Sequence, residues 1–336
     1  MKEVTTDISR WLEEKQPVAL ATVIQTWGSA PRKVGAKMAL TPAGQISGSV
    51  SGGCVEGAVF ESGTAALAEN RPELLGFGVA DETAWEVGLA CGGQIKVFVE
   101  PMPAGTYQLI ADNIAAEKAI AVGTIIASDS RLGAKWVVGN DGVLLGDATD
   151  TTATSAISAA LDGSKSTVLE LATGESMFVD VLLPPPTLVM VGGVHIAVAL
   201  TAIAKTLGYR TIVVDPRRAF GSDERFPHVD RLIQAWPDKA FADIQLDQAT
   251  AVAMLTHDPK IDDPALKVVL NSKAFYIGAL GSSKTQKARR ERLAEAGFSN
   301  ATIDRIYGPI GLNINAQTPE EIAVAVMAEI ISARHK

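Results

Sequence analysis

Only two cysteines, Cys54 and Cys91, occur in the 336 residues. That argues against a disulfide-built scaffold and against a structural zinc centre with the usual four Cys or His ligands. No run of 18 apolar residues is present, so no membrane-spanning helix is expected. The N-terminal MKEVTTDISRWLEEK is acidic and amphipathic and lacks the apolar stretch of a secretory signal. A bacterial-type cytoplasmic location is therefore expected. Positive charge is also scarce: 30 Lys and Arg stand against 38 Asp and Glu, a formal net charge of −8. A chain of that balance is not expected to bind nucleic acid, which calls for a basic face. The rest is ordinary. The sequence is 47% hydrophobic and 20% charged, and its length suits two domains or three.

Pro184-Pro185-Pro186 is the clearest break, since three prolines suit neither a helix interior nor a central strand. The expected division is a module over 1–183, a linker over 184–186 and a second domain over 187–336. The first module reads as an α+β unit with an internal duplication, about 1–103 and 104–183. The stretch ALATVI at 19–24 resembles AVGTII at 121–126, and AKMALTPAGQISGSV from Ala36 resembles AKWVVGNDGVLLGDA from Ala134. TPAG and GNDG look like hairpin turns, and helix-like stretches follow near 55–69 and 150–161. The final apolar strands run into Pro101 and Pro184. Chance resemblance between two β-rich stretches is the alternative. Both cysteines fall in the first copy, in SGGCVEG and ACGG, where the second copy has TDTTATS and ATGE.

The second domain reads as α/β, a Rossmann-like doubly wound parallel sheet. Strands are expected at 187–192, 211–215, 229–235, 251–256, 274–279 and 304–307. Helices are expected near 195–207, 237–244, 263–271, 284–296 and 318–333. Thr318-Pro-Glu-Glu321 has the form of a helix start with a capping box.

LVMVGGVHIA from Leu188 runs from strand through turn to helix, as a dinucleotide fingerprint does. Gly192 would make the tight turn, with Gly193 beside it, and Ala197 would allow close helix–strand packing. Val194 replaces the glycine that lets a backbone approach a pyrophosphate, which disfavours NAD(P). Asp215 ends the second strand, where an acid would hydrogen-bond a ribose hydroxyl. His195 is either a ligand contact or a plain helix-start residue. Arg217 and Arg218 either grip a phosphate or stay solvated. Thr256-His257-Asp258 ends the fourth strand. There His257 beside Asp258 is a base or metal ligand, or part of a surface turn entering PKIDDP. GALGSSKT, from Gly278 through Gly281 and Ser282, opens a helix and suits an anion, with Ser283 as a plain cap the alternative.

In the first module Cys54 follows two glycines and precedes a helix, a setting that favours thiolate. It and Cys91 are candidates to ligate a soft metal or hold sulfur, or are small buried residues. Arg32 and Lys33 lie in a Gly/Pro loop that could grip a phosphate or an anionic pterin.

In order, GSAPRKVGAKM, SGGCVEG and ACGG, then VGGVHIA, VDPR, LTHD, YIGALGS and GPIGLNINAQTPEEIAVAVMAEI, resemble the XdhC/CoxI family of xanthine dehydrogenase accessory factors. The resemblance covers nearly the whole chain, least clearly 105–183. It implies a chaperone that binds and shields a molybdopterin-type molybdenum cofactor while a cysteine desulfurase helps supply its terminal sulfur. The cofactor then passes to an apo-molybdenum hydroxylase. It further implies that Cys54, Glu56 and Cys91 contact the molybdenum–sulfur end. Gly192, Gly193, His195, Asp215, His257 and Asp258 serve on the Rossmann side. Val194 departs from the family pattern. A homodimer is the expected assembly, with the site between the cysteine module and the carboxyl edge of the sheet. A nicotinamide-dependent oxidoreductase and a non-catalytic docking scaffold are the competing readings.

Overall fold

The computed structural model describes residues 1–78 and 93–335, so Cys91 lies outside the described residues. The chain divides into two compact units, Met1–Pro184 and Pro185–Lys336.

The first unit begins with α1 (Lys2–Glu13), whose Val4, Ile8 and Trp11 recur at helical spacing and are buried. Two sheets follow. The first joins β1 (Ala19–Trp27), β2 (Lys37–Leu40), β3 (Ile46–Gly48), β4 (Glu73–Phe77) and β5 (Gln94–Pro101) in the order β3-β2-β1-β5-β4, with α2 (Glu56–Glu69) between β3 and β4. After α3 (Ala104–Ala115) come β6 (Ile120–Ala127), β7 (Lys135–Gly139), β8 (Gly142–Leu145), α4 (Thr151–Asp162), β9 (Thr167–Glu170) and β10 (Ser176–Leu182). Their order, β8-β7-β6-β10-β9, has the same form, and every pairing in both sheets is antiparallel.

Strand alternation decides what each face meets. Ala19, Ala21 and Val23 of β1 pack with Val55, Val59 and Ala66 along α2. Ala121 and Ile125 of β6 pack likewise with Ala153, Ile157 and Leu161 of α4. The opposite faces meet each other, where Ile24 and Phe98 of one sheet contact Ile126 and Phe178 of the other.

Charges also cross that layer. Lys37 Nζ pairs with Asp180 Oδ2 at 2.7 Å, and Lys135 Nζ pairs with Glu100 Oε1 at 2.6 Å. Each lysine also donates to a threonine of its own sheet, Thr22 at 3.2 Å and Thr124 at 2.8 Å. Thr22 and Thr124 sit opposite Phe98 and Phe178 in their registers, and Leu20 and Val122 sit opposite Glu100 and Asp180. The four charged groups therefore form two reciprocal pairs, each joining a lysine of one sheet to an acid of the other.

The second unit holds one parallel six-stranded sheet in the order β13-β12-β11-β14-β15-β16. Its strands are β11 (Thr187–Val191), β12 (Arg210–Val214), β13 (Arg231–Ile233), β14 (Thr250–Met254), β15 (Tyr276–Ala279) and β16 (Ile306–Tyr307). The helices are α5 (His195–Thr206), α6 (Pro237–Ala240), α7 (Pro259–Val269), α8 (Ser283–Glu295), α9 (Asn300–Ile303) and α10 (Pro319–Arg334). Alternate residues of β11 feed two cores, Leu188 and Met190 on one face and Val189 and Val191 on the other. The order reverses between β11 and β14, the switch point where such sheets place ligands.

Several local expectations need correcting. Helix α7 starts at Pro259, four residues earlier than expected, because Asp258 caps it by accepting from the Lys260 amide. PKIDDP is thus helical, with Pro264 inside the helix. The stretch 237–244 splits into α6 and a 3-10 turn over Phe241–Asp243. The strand expected at 304–307 is only Ile306–Tyr307, preceded by α9, which Ser299 caps. Ser282, not Ser283, caps α8. The capping box at Thr318 and Glu321 is present in full.

Candidate functional site

In the first sheet, β1 and β3 end at the same edge where β2 and β5 begin, as the antiparallel pairs Thr22–Lys37, Met38–Gly48 and Trp27–Gln94 require. The loop over 28–36, the loop over 49–55 and Gly93 therefore share one end of the sheet. They touch. Arg32 Nε donates to the Ser49 carbonyl at 3.2 Å, and a methyl at Gly93 would stand 2.8 Å from the Ser29 carbonyl carbon.

Within the 49–55 loop, Glu56 works as an internal brace. Its carboxylate accepts from the hydroxyls of Ser49 and Ser51, both at 2.5 Å, and from the amides of Val50, Ser51, Gly52, Gly53 and Val55 at 2.8–3.2 Å. Gly52 and Gly53 bend their amides inward at φ +80° and +121°, values that glycine alone adopts cheaply. Burial opposes ionisation of Glu56, but these hydrogen bonds outweigh it and lower the pKa from 4.5 to about 2. Glu56 is thus committed to the loop. What the loop presents is Cys54, exposed two residues before α2, its amide anchored on Ser51 Oγ at 2.9 Å.

A depressed folded-state pKa stabilises the fold above the unfolded value, and that gain disappears as pH falls through the folded value. The stability gap between the parent and Glu56→Gln is therefore expected to narrow between about pH 4.5 and about pH 2. Thermal melts across that range test it. A gap independent of pH would show that the charge does not brace the loop.

Arg32 is not free either. Its Nη2 contacts both oxygens of Glu3 at 2.6 Å, tying α1 to the same edge. In the second sheet the corresponding edge is closed by Arg131, which pairs with Asp150 at 2.8 Å and Glu175 at 3.3 Å and lies over Trp136. Among the described residues, no group of three His, Cys, Asp or Glu side chains gathers as for a metal ion.

In the second unit, the candidates Gly192, Gly193, His195, Asp215, Arg217, His257, Asp258 and Ser282 all sit at or just beyond the carboxyl edge. Gly192 has φ +108°, and a methyl there would strike Thr256 Cγ2, so the turns after β11 and β14 interlock. Val194 is the cap residue of α5, and His195 is its exposed first residue. Ala197 is fully buried under the helix, as close helix–strand packing demands.

Asp215 departs from the ribose-binding expectation. It is fully buried and accepts from the Gly193 amide at 2.8 Å, from the Arg217 amide and Nε at 2.9 Å each, and from Arg217 Nη2 at 2.7 Å. Burial pushes its pKa up, yet the Arg217 guanidinium and the two amides outweigh that and hold it below the usual carboxylate range. No oxygen is left for a ribose. The close approach that Gly193 permits is used by the chain itself, since a methyl there would land on the Phe220 carbonyl oxygen and 3.2 Å from the Phe226 ring. Arg217 in turn lies over the Phe220 ring at 4.1 Å. The segment after β12 thus covers the turn where a dinucleotide pyrophosphate would rest, so these residues do not fit a conventionally placed NAD(P).

His257 and Asp258 are exposed, while Thr256 is buried. The His257 backbone has φ +71°, a left-handed value uncommon for a side-chain-bearing residue. Sequence reasoning missed the groups behind it, Asp262, Gln286 and Arg289, because a charged residue in a helix normally reads as solvated. It also missed Lys37, Glu100, Lys135 and Asp180. The GAK that occurs twice, at 35–37 and 133–135, was the available signal for the lysines.

Residues 188–330 match the XdhC Rossmann domain and residues 11–78 match the XdhC and CoxI family. The chain is 30% identical over 335 residues to a probable xanthine dehydrogenase subunit of Bacillus subtilis, covering 97% of this chain and 96% of that one. It is 27% identical over 316 residues to the molybdenum cofactor insertion chaperone PaoD of Escherichia coli, covering 94% and 83%. A solved xanthine dehydrogenase structure from Bacillus halodurans shares the fold, with a TM-score of 0.76 at 24% identity over 98% of this chain and 95% of that one. With near-complete coverage of a relative at 30% identity and matches in both units, the chain belongs to the XdhC/CoxI family.

Proposed function

We propose that this protein carries molybdenum cofactor as cargo, protects it, and hands it to a xanthine-dehydrogenase-type apo-enzyme, with a cysteine desulfurase supplying the terminal sulfur. The observation that carries this reading is the exposed Cys54 thiol on a loop whose amides and hydroxyls are fixed by Glu56. A soft sulfur ligand on a rigid loop suits the molybdenum–sulfur end of the cargo. The kinship to PaoD, by name a cofactor insertion chaperone, supports the same reading. Cys54 and, from the sequence, Cys91 serve the first unit's part, with Arg32 fixing the edge through Glu3 and the Ser49 carbonyl. His195, His257, Asp258 and Ser282 serve the second unit's. Asp215 acts there indirectly, by holding the Gly193 turn and Arg217. The protein works in the cytoplasm, as a homodimer.

Mixing the purified chain with released molybdenum cofactor and measuring retained metal and pterin tests the reading. Retention is expected in the parent and is expected to fall about tenfold in Cys54→Ala, the loss of roughly one good ligand contact. No retention of cofactor shown to be intact would overturn the proposal.

The oxidoreductase alternative makes the opposite forecast for nicotinamide nucleotides. Because Asp215 is saturated and the Gly193 turn is covered, calorimetric titration with NADH or NADPH is expected to give no micromolar binding.

A further inference from the structure

The exposed side chain of His257 makes the left-handed backbone at that residue hard to explain by packing. Glycine would adopt φ +71° at lower cost. Strain of this kind persists where the surroundings impose it, and it concentrates at working sites. The surroundings here are a buried polar network. The His257 amide donates to Asp262 Oδ2 at 3.1 Å, and the Thr256 hydroxyl donates to Asp262 Oδ1 at 2.5 Å. Arg289 Nη2 also donates to Asp262 Oδ2, at 3.0 Å. Asp262 and Arg289 are 1% and 2% exposed.

Arg289 reaches further. It donates to the Leu280 carbonyl at 3.0 Å and to Gln286 Oε1 at 2.5 Å, while Gln286 Nε2 donates to the Ala279 carbonyl at 2.8 Å. One buried guanidinium therefore ties the corner after β14 to the turn after β15 that Ser282 closes. As a stabilising device the network is poor, because a buried ion pair contributes little net stability and Arg289 Nε is buried without a partner. As a positioning device it makes sense.

We infer that Asp262 and Arg289 are positioning residues that hold His257 in its strained conformation, so that its imidazole meets an anionic group of the cargo at the carboxyl edge of the second unit's sheet. The inference rests on the cargo-carrying function proposed above for its ligand, but not for its geometry. Exposed His195 shares this edge and α8 starts there, while the exposed Asp258 next to His257 is taken up in part by capping α7 and the Arg217 guanidinium is spent on Asp215, so the imidazoles are the groups the edge offers to an anion.

The test uses the full chain with released molybdenum cofactor. His257→Gly is expected to melt about 2–4 °C higher than the parent, because the strain is relieved, and to retain at least about tenfold less cofactor, a lost ligand contact. Asp262→Ala is expected to melt lower and lose retention similarly, with partial recovery in Asp262→Asn, whose amide oxygen still accepts a hydrogen bond. Asp263→Ala is the control. It breaks the neighbouring Arg292–Asp263 pair between the same two helices and is expected to melt lower with retention unchanged. Normal retention in His257→Gly, or equal losses in Asp262→Ala and Asp263→Ala, would overturn the inference. Should the parent retain no cofactor, the proposed function fails alone, and hydrogen exchange decides the geometry. The His257 amide is then expected to be protected in the parent and in Asp263→Ala, to exchange at least about tenfold faster in Asp262→Ala, and to fall between the two in Asp262→Asn. An unprotected His257 amide in the parent would overturn the inference by itself.

Discussion

Replacing Lys37 with methionine is expected to destabilise the first unit by about 3–5 kcal/mol. The Lys37 side chain is 4% exposed and that of its partner Asp180 is 10% exposed, so removing the ammonium strands a carboxylate between two sheets. Ser166 still donates to Asp180, at 3.3 Å, which does not replace a full charge. The double variant Lys37→Met with Asp180→Leu is expected to recover most of the loss, because no buried charge is then left without a partner and the new side chains lie beside the apolar cluster of Ile24, Phe98, Ile126 and Phe178. Urea denaturation followed by tryptophan fluorescence measures both, since Trp11 and Trp136 are buried in this unit. A double variant no more stable than the single one would show that the pairs are not what matters there. Lys135 and Glu100 repeat the arrangement in reverse and are expected to respond in the same way.

Gly193→Ala is expected to cost about 1–3 kcal/mol, despite adding only one methyl group. The obstacle is main chain: the new carbon would stand 2.8 Å from the Phe220 carbonyl carbon and closer still to its oxygen. Neither side yields easily. Asp215 holds the Gly193 amide, and Gly221 packs against the backbone and side chain of Asp215. Adding Phe220→Ala is therefore not expected to rescue the variant, because the colliding atoms belong to the backbone. Rescue by that change would mean that the ring, not the carbonyl, covers the turn. Thermal denaturation with near-ultraviolet circular dichroism separates the outcomes.

Much of this protein was legible in the sequence. Apolar runs of strand length, spaced by amphipathic helices, located all six parallel strands, and Gly192 and Ala197 marked a tight turn with a helix packed against it. Where the reading slipped, a local competitor had won. Asp258 and Pro259 started α7 before the apolar periodicity did, and Ser282 took the cap from Ser283. The ordered motifs GSAPRKVGAKM, SGGCVEG, VGGVHIA and LTHD were enough to indicate the family, because turns that need glycine or a cap leave residue-specific traces.

What each polar group is joined to was another matter. Glu56 and Asp215 stood in the sequence as candidate ligand contacts, yet one braces its own loop and the other holds Gly193 and Arg217. Lys37 and Asp180 lie in different sheets of the first unit, and nothing local in either stretch announces their 2.7 Å contact. Period and capping are properties of short stretches, so the sequence alone determined the elements, their order and the family. Hydrogen-bond partnership depends on which chain segments are brought together after packing. Only the tertiary structure therefore decided that Cys54 is presented outward, that the dinucleotide-like turn is covered by its own chain, and that His257 takes a left-handed backbone with its amide on Asp262.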